Sequence, residues 1–151
     1  MRAVASMDEF KRLVGQEVAL TEWTLISQRQ VNLFAEATGD HQWIHVDVER
    51  SRIESPFGGT VAHGFLTLSL LPMWLNNAVS MPPSRMDVNY GLNKVRFPAP
   101  LLAGSRVRGR LTPLQVEDIP GGAQIIWKVE VECEGGSKPV CVAEWIVRRY
   151  E

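Results

Sequence analysis

Residues 60–75 read Thr-Val-Ala-His-Gly-Phe-Leu-Thr-Leu-Ser-Leu-Leu-Pro-Met-Trp-Leu, and their apolar members fall on every side of a helical wheel. A helix that is apolar around its whole circumference is usually covered by other elements on nearly all sides. This stretch therefore predicts a buried helix at the centre of the fold. Pro72 lacks a backbone N–H, so it predicts a kink or an early end of the helix.

The chain after Pro83 is typical of β-structure up to its C terminus. Apolar and polar residues alternate, most clearly from Ile125 to Cys133, as they do in strands with one buried face. The four predicted strands cover residues 87–97, 106–111, 125–133 and 141–147. Gly121-Gly122 and Gly135-Gly136 are the predicted hairpin turns, Gly91 a bulge, and Pro113 an edge or bend.

The chain before the buried helix predicts a first strand from Val18 to Ile26 and a helix that ends at Gly39. Ser27 and Gln30 form a capping-box pattern at the start of that helix. Residues 46–56 are charged and lead into a glycine-rich turn, which predicts a loop. Residues 1–15 predict a short helix that braces the domain at its N terminus.

Together these elements predict an α+β fold in one domain, residues 1–151. A single antiparallel sheet curling around one long buried helix satisfies the order of elements. Such a sheet leaves unpaired edge strands and an apolar flank. We therefore expect a homodimer in which two chains cover these surfaces.

Composition excludes several classes of protein. With 45% hydrophobic and 22% charged residues, the chain is typical of a globular domain. The formal net charge of −1 gives no basic surface for nucleic acid. The apolar run Phe65–Leu75 is too short to span a bilayer. Because Asp8 and Glu9 precede any apolar run of signal-peptide length, we expect a cytoplasmic protein.

Neither a disulfide nor a metal site is predicted. Cys133 and Cys141 fall on core-facing positions of consecutive strands, so buried free thiols are favoured over a disulfide. The three histidines lack the paired spacing of zinc ligands, and neither cysteine is near them.

An acid/base pair is predicted in the segment Gly39-Asp40-His41-Gln42-Trp43-Ile44-His45. Asp40 and His45 lie five residues apart, and the glycine-rich run 58–64 follows where the buried helix begins. Taken alone, Asp40 is more often a turn former than a catalyst, and His45 is more often a packed or surface residue. Their spacing together with the His63-Gly64 helix start favours catalytic roles. His41 is interpreted as an exposed neighbour.

These motifs resemble those of the MaoC-like dehydratases, which include R-specific enoyl-CoA hydratases and nodulation-protein-N-like proteins. The resemblance is carried by Gly39-Asp40 with His45, by residues 62–67 (Ala-His-Gly-Phe-Leu-Thr) and by residues 94–100 (Lys-Val-Arg-Phe-Pro-Ala-Pro). It covers the chain from about Val18 to Arg148. It implies a hot-dog fold, usually dimeric, in which the sheet wraps around a central helix.

The resemblance also implies an activity. A hydro-lyase of fatty-acid metabolism would add water reversibly to trans-2-enoyl thioesters to give (3R)-3-hydroxyacyl thioesters. The resemblance implies that Asp40 and His45 are catalytic and that the backbone N–H of Gly64 binds the thioester oxygen. No metal or redox cofactor is needed. Gln42 and Trp43 stand where the family usually has asparagine and proline, and both are candidate substrate contacts. Because of these two differences, the acyl-chain preference of the family does not transfer to this chain.

The remaining candidate contacts are His63 and three basic residues. His63 is interpreted as structural, hydrogen-bonded near the helix start, with a substrate contact as the alternative. Arg85, Lys94 and Arg96 are candidates for binding the phosphates of coenzyme A. Solvated strand faces explain the same three residues.

Two other functions stay open at this stage. A hot-dog thioesterase would release free thiol rather than consume the enoyl group, and a non-catalytic protein would only bind acyl thioesters. The carrier, coenzyme A or acyl-carrier protein, is not predicted, nor are the acyl-chain length and the physiological direction.

Overall fold

The computed structural model describes residues 1–151. The N-terminal elements are β1 (Arg2–Ala3), α1 (Met7–Lys11), β2 (Ala19–Leu20) and β3 (Thr24–Leu25). The helices that follow are α2 (Gln28–Thr38), α3 (Trp43–Val46), α4 (Val48–Glu54), α5 (Gly64–Ser69) and α6 (Leu71–Ala78). The last strands are β4 (Val79–Ser80), β5 (Met86–Arg96), β6 (Arg106–Ile119), β7 (Gly122–Cys133) and β8 (Cys141–Tyr150).

The main sheet is antiparallel and has the strand order β2-β6-β7-β8-β5, with β3 also paired to β6. This confirms the four consecutive strands predicted after Pro83. The register shifts between Asn89 and Gly91 and between Pro113 and Gln115, near the predicted bulge and bend. A separate parallel pair, β1 with β4, was not predicted.

The concave face of the sheet carries the core. Ile125, Trp127, Val129 and Val131 of β7 are fully buried, as their alternation predicts. Leu66, Leu71, Trp74 and Leu75 of α5 and α6 belong to the same apolar cluster. Phe10 of α1 is also buried, and its ring centre lies 5.3 Å from that of Trp127. The sheet therefore packs on the central helices, and α1 fills part of the same core.

The first strand was predicted to be continuous, but the structure has two short strands, β2 and β3, in its place. Leu20 pairs with Arg110 and Thr24 with Val107, so residues 21–23 lie opposite only residues 108–109. The extra residue breaks the ladder into β2 and β3, as in a β-bulge.

The prediction of one long central helix is also corrected. Residues 60–62 are extended rather than helical: the N–H of Val61 donates to the carbonyl of Ile44, and that of Ala62 to the carbonyl of Leu101. The helix begins at Gly64 and breaks at Leu70, and Pro72 lies in the first turn of α6. The break confirms the effect predicted for Pro72. Burial on all sides is wrong, because the side chain of Phe65 is 68% exposed.

The charged stretch predicted as a loop contains a helix. Asp47 caps α4 by accepting a hydrogen bond from the N–H of Arg50 at 2.9 Å. Ion pairs along the helix surface, Arg50 with Glu54 and Arg52 with Glu49, add local support. Only Ser51 of α4 is buried. The helix thus lies on the surface and is favoured by local interactions rather than by an apolar face.

Both cysteines are free. Cys141 is fully buried, and burial raises the pKa of its thiol to about 11. Cys133 ends β7 and is only half-buried, so its predicted burial is wrong. None of the helices combines the length and the apolar composition that a membrane span requires.

Candidate active site

Asp40 is placed by the end of α2. Gly39 closes that helix in the left-handed conformation, with φ of 79°, and turns the chain away from the helix axis. Asp40 follows directly, and its Oδ1 accepts a hydrogen bond from the N–H of Gln42 at 3.3 Å. Its side chain remains 53% exposed. The carboxylate therefore lies at the rim of the site, in contact with solvent.

His45 is held more firmly. The segment that carries it forms the single helical turn α3. Its Nδ1 lies 2.6 Å from the carbonyl oxygen of Val61, which can only accept a hydrogen bond. Nδ1 therefore carries the proton, and Nε2 has a free lone pair. Nε2 faces Asp40 Oδ2 at 3.9 Å, too far for a direct hydrogen bond.

His63 joins the pair, which the sequence did not predict. Its imidazole stacks on that of His45 with ring centres 3.8 Å apart and an interplanar angle of 22°. Its Nε2–H donates to the main-chain carbonyl of Asp40 at 3.0 Å. Nδ1 of His63 is buried and has no hydrogen-bond partner. His63 thus contacts both members of the predicted pair.

Three possible metal ligands meet here, because one atom each of Asp40, His45 and His63 lie within 4.8 Å of one another. Their orientation does not suit a shared ion. The lone pair of an imidazole lies in the ring plane, and two nearly parallel stacked planes do not converge on a nearby point. His63 also directs Nε2–H at a carbonyl oxygen. The cluster is therefore better suited to proton transfer than to metal binding.

The three residues line a cleft of about 380 Å³, here called the Asp40–His45 cleft. Its other walls are Phe34, Thr38, Gly64, Phe65 and Phe97. Glycine is favoured at position 64, because a Cβ there would lie 2.9 Å from the Phe97 ring and displace it. As the first residue of α5, Gly64 has an N–H outside the hydrogen-bond ladder of the helix, and His63 provides no side-chain cap. A free backbone donor therefore shares the cleft with the acid/base pair.

Gln42 and Trp43 do not line this cleft. Gln42 is exposed at the start of α3. The indole of Trp43 packs under the guanidinium of Arg50, which lies 4.2 Å from the ring centre. Trp43 therefore does not close the cleft against water, because its side chain is engaged with α4.

Arg85, Lys94 and Arg96 do not form one patch. Arg85 precedes β5 and Arg96 ends it, so roughly 36 Å separates them at about 3.3 Å per residue. Lys94 and Arg96 lie at the end of the strand that leads to Phe97 and the Asp40–His45 cleft.

Two supporting residues were missed from the sequence. Gln28 donates from Nε2 to the carbonyl of His45 at 2.7 Å, and its Oε1 accepts from Thr60. Phe34 of the same helix packs against His63, with ring centres 4.9 Å apart. Both lie on α2 and face the site only because α2 packs against α3. No local sequence signal marks either residue.

Comparisons with known proteins find relatives that match most of the chain. The family model described as "MaoC like domain" matches residues 9–133. The chain is 50% identical over 149 residues to 3-hydroxyacyl-thioester dehydratase Z of Mycobacterium tuberculosis, covering 98% of each chain. It is 45% identical over 146 residues to nodulation protein N of Rhizobium leguminosarum, covering 93% of this chain and 89% of the relative. Unliganded R-hydratase PhaJ1 of Pseudomonas aeruginosa aligns with a TM-score of 0.72 and 25% identity, covering 91% and 82% of the two chains.

Proposed function

The chain belongs to the MaoC-like dehydratase family and has its hot-dog fold, and from this we propose that it is an R-specific hydro-lyase of acyl thioesters. It adds water reversibly to trans-2-enoyl thioesters and forms (3R)-3-hydroxyacyl thioesters. The relatives named as a 3-hydroxyacyl-thioester dehydratase and an R-hydratase support this class of reaction.

The proposal depends on one observation: the side chains of Asp40 and His45 face each other in the cleft. Nε2 of His45 and Oδ2 of Asp40 are 3.9 Å apart, and the proton on Nδ1 leaves Nε2 of His45 free to accept another. A water molecule held between the two groups would donate one hydrogen bond to each. Both groups are within reach of a substrate in the same cleft.

The proton balance closes without a cofactor. His45 Nε2 takes one proton from water as the water oxygen bonds to C3 of the enoyl thioester. The electrons of the C2–C3 double bond move toward C2 and the thioester oxygen, and C2 then takes one proton from the Asp40–His45 pair. The proton gained and the proton delivered cancel, so the pair returns to its initial state.

Gly64 supplies the donor for the thioester oxygen in this proposal. Negative charge develops on that oxygen as water adds, and a fixed N–H lowers the free energy of the charged intermediate. The N–H of Gly64 fits this role because it has no helical partner and lies in the same cleft as His45. Phe65 and Phe97 form aromatic walls of the same cleft.

A direct assay tests the activity. Purified protein mixed with crotonyl-CoA is expected to remove the enoyl absorbance, and an R-specific dehydrogenase is expected to oxidise the product. The same enoyl group on acyl-carrier protein, and longer chains on both carriers, identify the carrier. Release of free thiol without loss of the enoyl group would contradict the proposal and indicate a thioesterase. Binding of every thioester without either reaction would indicate a non-catalytic protein.

We also propose a homodimer that covers β5. This strand lies at the edge of the sheet and exposes Val88, Tyr90 and Leu92, while Phe65 is exposed nearby on α5. Unpaired strand edges with apolar side chains favour pairing between chains. Light scattering after gel filtration is expected to give twice the mass of one chain. A single species with the mass of one chain at micromolar concentration would contradict the proposal.

His63 is expected to act as a positioning residue. His63→Phe keeps a ring stacked on His45 but removes the hydrogen bond to the Asp40 carbonyl, and loss of such a bond costs about 1 kcal/mol. We expect kcat to fall roughly 5- to 10-fold while KM changes little. His41→Phe serves as the control, since His41 is exposed and outside the cleft. A rise in KM at constant kcat would contradict a positioning role.

A further inference from the structure

A second cleft adjoins the site and leads into the fold. It has a volume of about 370 Å³ and lies between α5 and β5, so it is called here the α5–β5 cleft. Phe65 lines both this cleft and the Asp40–His45 cleft. Its remaining walls near Phe65 are apolar and include Leu68, Leu71 and Leu92. An alkyl chain attached to a substrate in the site would therefore find an apolar path beside Phe65.

A smaller inner cavity of about 130 Å³ lies beside the α5–β5 cleft. Pro72, Asn89 and Trp145 line both the α5–β5 cleft and this cavity. The cavity extends between α6 and the sheet to Trp127, at the centre of β7. From Gly64 to Leu75, which also lines the cavity, the two helices span at most about 16 Å at about 1.5 Å per residue. This distance suits an acyl chain of medium length.

The inner cavity is polar where an alkyl end would need only apolar walls. Trp127 lines it, is fully buried, and has an indole Nε1–H without a hydrogen-bond partner. Asn89 is also there, with its Oδ1 accepting from Nε1 of Trp145 at 3.1 Å. The ion pair between Arg149 and Asp87, with 3.4 Å from Nε to Oδ1, completes the polar side.

The unpaired indole is the decisive feature. Buried polar groups in proteins nearly always have a partner, because an unpaired one loses its hydration without compensation. Trp74 shows the usual arrangement in this chain, since its Nε1–H donates to Thr24 at 3.0 Å. The indole of tryptophan can only donate. The missing partner of Trp127 must therefore be an acceptor atom.

We propose that the acyl chain of the substrate carries an oxygen function at its far end, a hydroxyl or keto oxygen that accepts the hydrogen bond of Trp127. This inference rests on the proposed hydro-lyase function and names the class of acyl group for the same site. The thioester end lies at Asp40 and His45, the alkyl segment passes Phe65 along the α5–β5 cleft, and the distal oxygen reaches the inner cavity.

The test compares paired substrates. For trans-2-enoyl-CoA chains from octenoyl to dodecenoyl, kcat/KM is measured with and without an ω-hydroxyl group, and the ratio of the two values is the readout. The wild-type protein is expected to favour the hydroxylated chain at one length in this series. Trp127→Phe is expected to lower that ratio about 10-fold, because it removes the donor and keeps an aromatic ring. Effects on folding or on the chemical step act on both substrates and cancel in the ratio.

Trp74→Phe is the matched control. It also removes an indole N–H from a buried position, but Trp74 lines neither the α5–β5 cleft nor the inner cavity. Its ratio is expected to equal that of the wild type. Equal ratios for wild type and Trp127→Phe, with both substrates hydrated, would overturn the distal-oxygen proposal and leave the hydro-lyase function intact. That result would mean that water satisfies Trp127.

Failure of the proposed function gives a different result. If the wild-type protein hydrates neither member of a pair, the hydro-lyase proposal is contradicted. Equilibrium binding of the same two thioesters to wild type and Trp127→Phe then tests the inner cavity without chemistry. Tighter binding of the hydroxylated chain to wild type alone supports the distal-oxygen proposal, and equal binding overturns it.

Discussion

Replacing Asp40 with asparagine, or His45 with glutamine, is expected to lower kcat for hydration of a 2-enoyl thioester by roughly 10²- to 10⁴-fold. The Asp40→Asn variant keeps an oxygen that can accept from the N–H of Gln42, so the turn after α2 is retained while the carboxylate is lost. The His45→Gln variant removes the imidazole lone pair that faces Asp40. Single-turnover rates with saturating crotonyl-CoA measure the chemical step directly.

Neighbouring exposed residues provide controls for these two variants. Glu36→Gln on α2 changes charge near Asp40 outside the cleft, and His41→Gln changes the adjacent imidazole. Both are expected to retain wild-type rates. If the two groups act on the same water molecule, as we propose, the double variant is expected to lose little more activity than either single variant. Losses that multiply would indicate that Asp40 and His45 act in independent steps.

Replacing Gly64 with proline is expected to lower kcat by roughly 10²- to 10³-fold relative to Gly64→Ala, as for loss of one oxyanion donor. Proline at the first position of a helix is compatible with α5. The preceding residue, His63, already has φ of −58° and ψ of 134°, which suits a residue before proline. The pair of variants therefore differs chiefly in the backbone N–H.

Alanine is the necessary comparison at this position. Its Cβ, like that of proline, would approach the Phe97 ring to 2.9 Å, so both variants displace that ring and both are expected to lose some activity. Thermal unfolding of the two proteins identifies any difference in folding. Equal kcat for Gly64→Ala and Gly64→Pro in two equally stable proteins would show that the N–H does not bind the thioester oxygen.

The sequence predicted the parts of the fold that depend on local periodicity. The alternation in β7 and β8 identified the buried faces, and the capping box of Ser27 and Gln30 is present at the start of α2. The break near Pro72 also follows from local chemistry. The helix α4 was missed although its signals were present, namely Asp47 as a cap and Arg50 four residues before Glu54.

Other features depend on contacts between distant segments. The split of the first strand arises from one extra residue opposite β6, which has no counterpart in hydrophobic periodicity. Phe65 belongs to an apolar run, yet its exposure depends on whether any other part of the chain reaches it. A periodic pattern gives the face of a helix and not the surface that covers it.

The candidate site divides in the same way. Asp40 and His45 were predicted from their spacing, and Gly64 from the resemblance to the MaoC-like family. The stacking of His63 on His45 joins segments eighteen residues apart in sequence, and Gln28 reaches the His45 carbonyl from another helix. These supporting contacts require the packing of α2, α3 and the start of α5, which only the structure provides.

His45 is held more firmly than Asp40, and this difference predicts where the oxygen atom of the water formed by dehydration goes. His45 is fixed by Val61 and His63 and its side chain is 10% exposed, whereas the Asp40 side chain is 53% exposed at the rim. Water formed by dehydration is thus expected to leave on the side of Asp40, next to bulk solvent. An ¹⁸O label in the 3-hydroxyl group is accordingly expected to pass into the medium in each dehydration and not to return in the reverse reaction. Retention of the label through several reversals, followed by mass spectrometry, would mean that the site closes around its water.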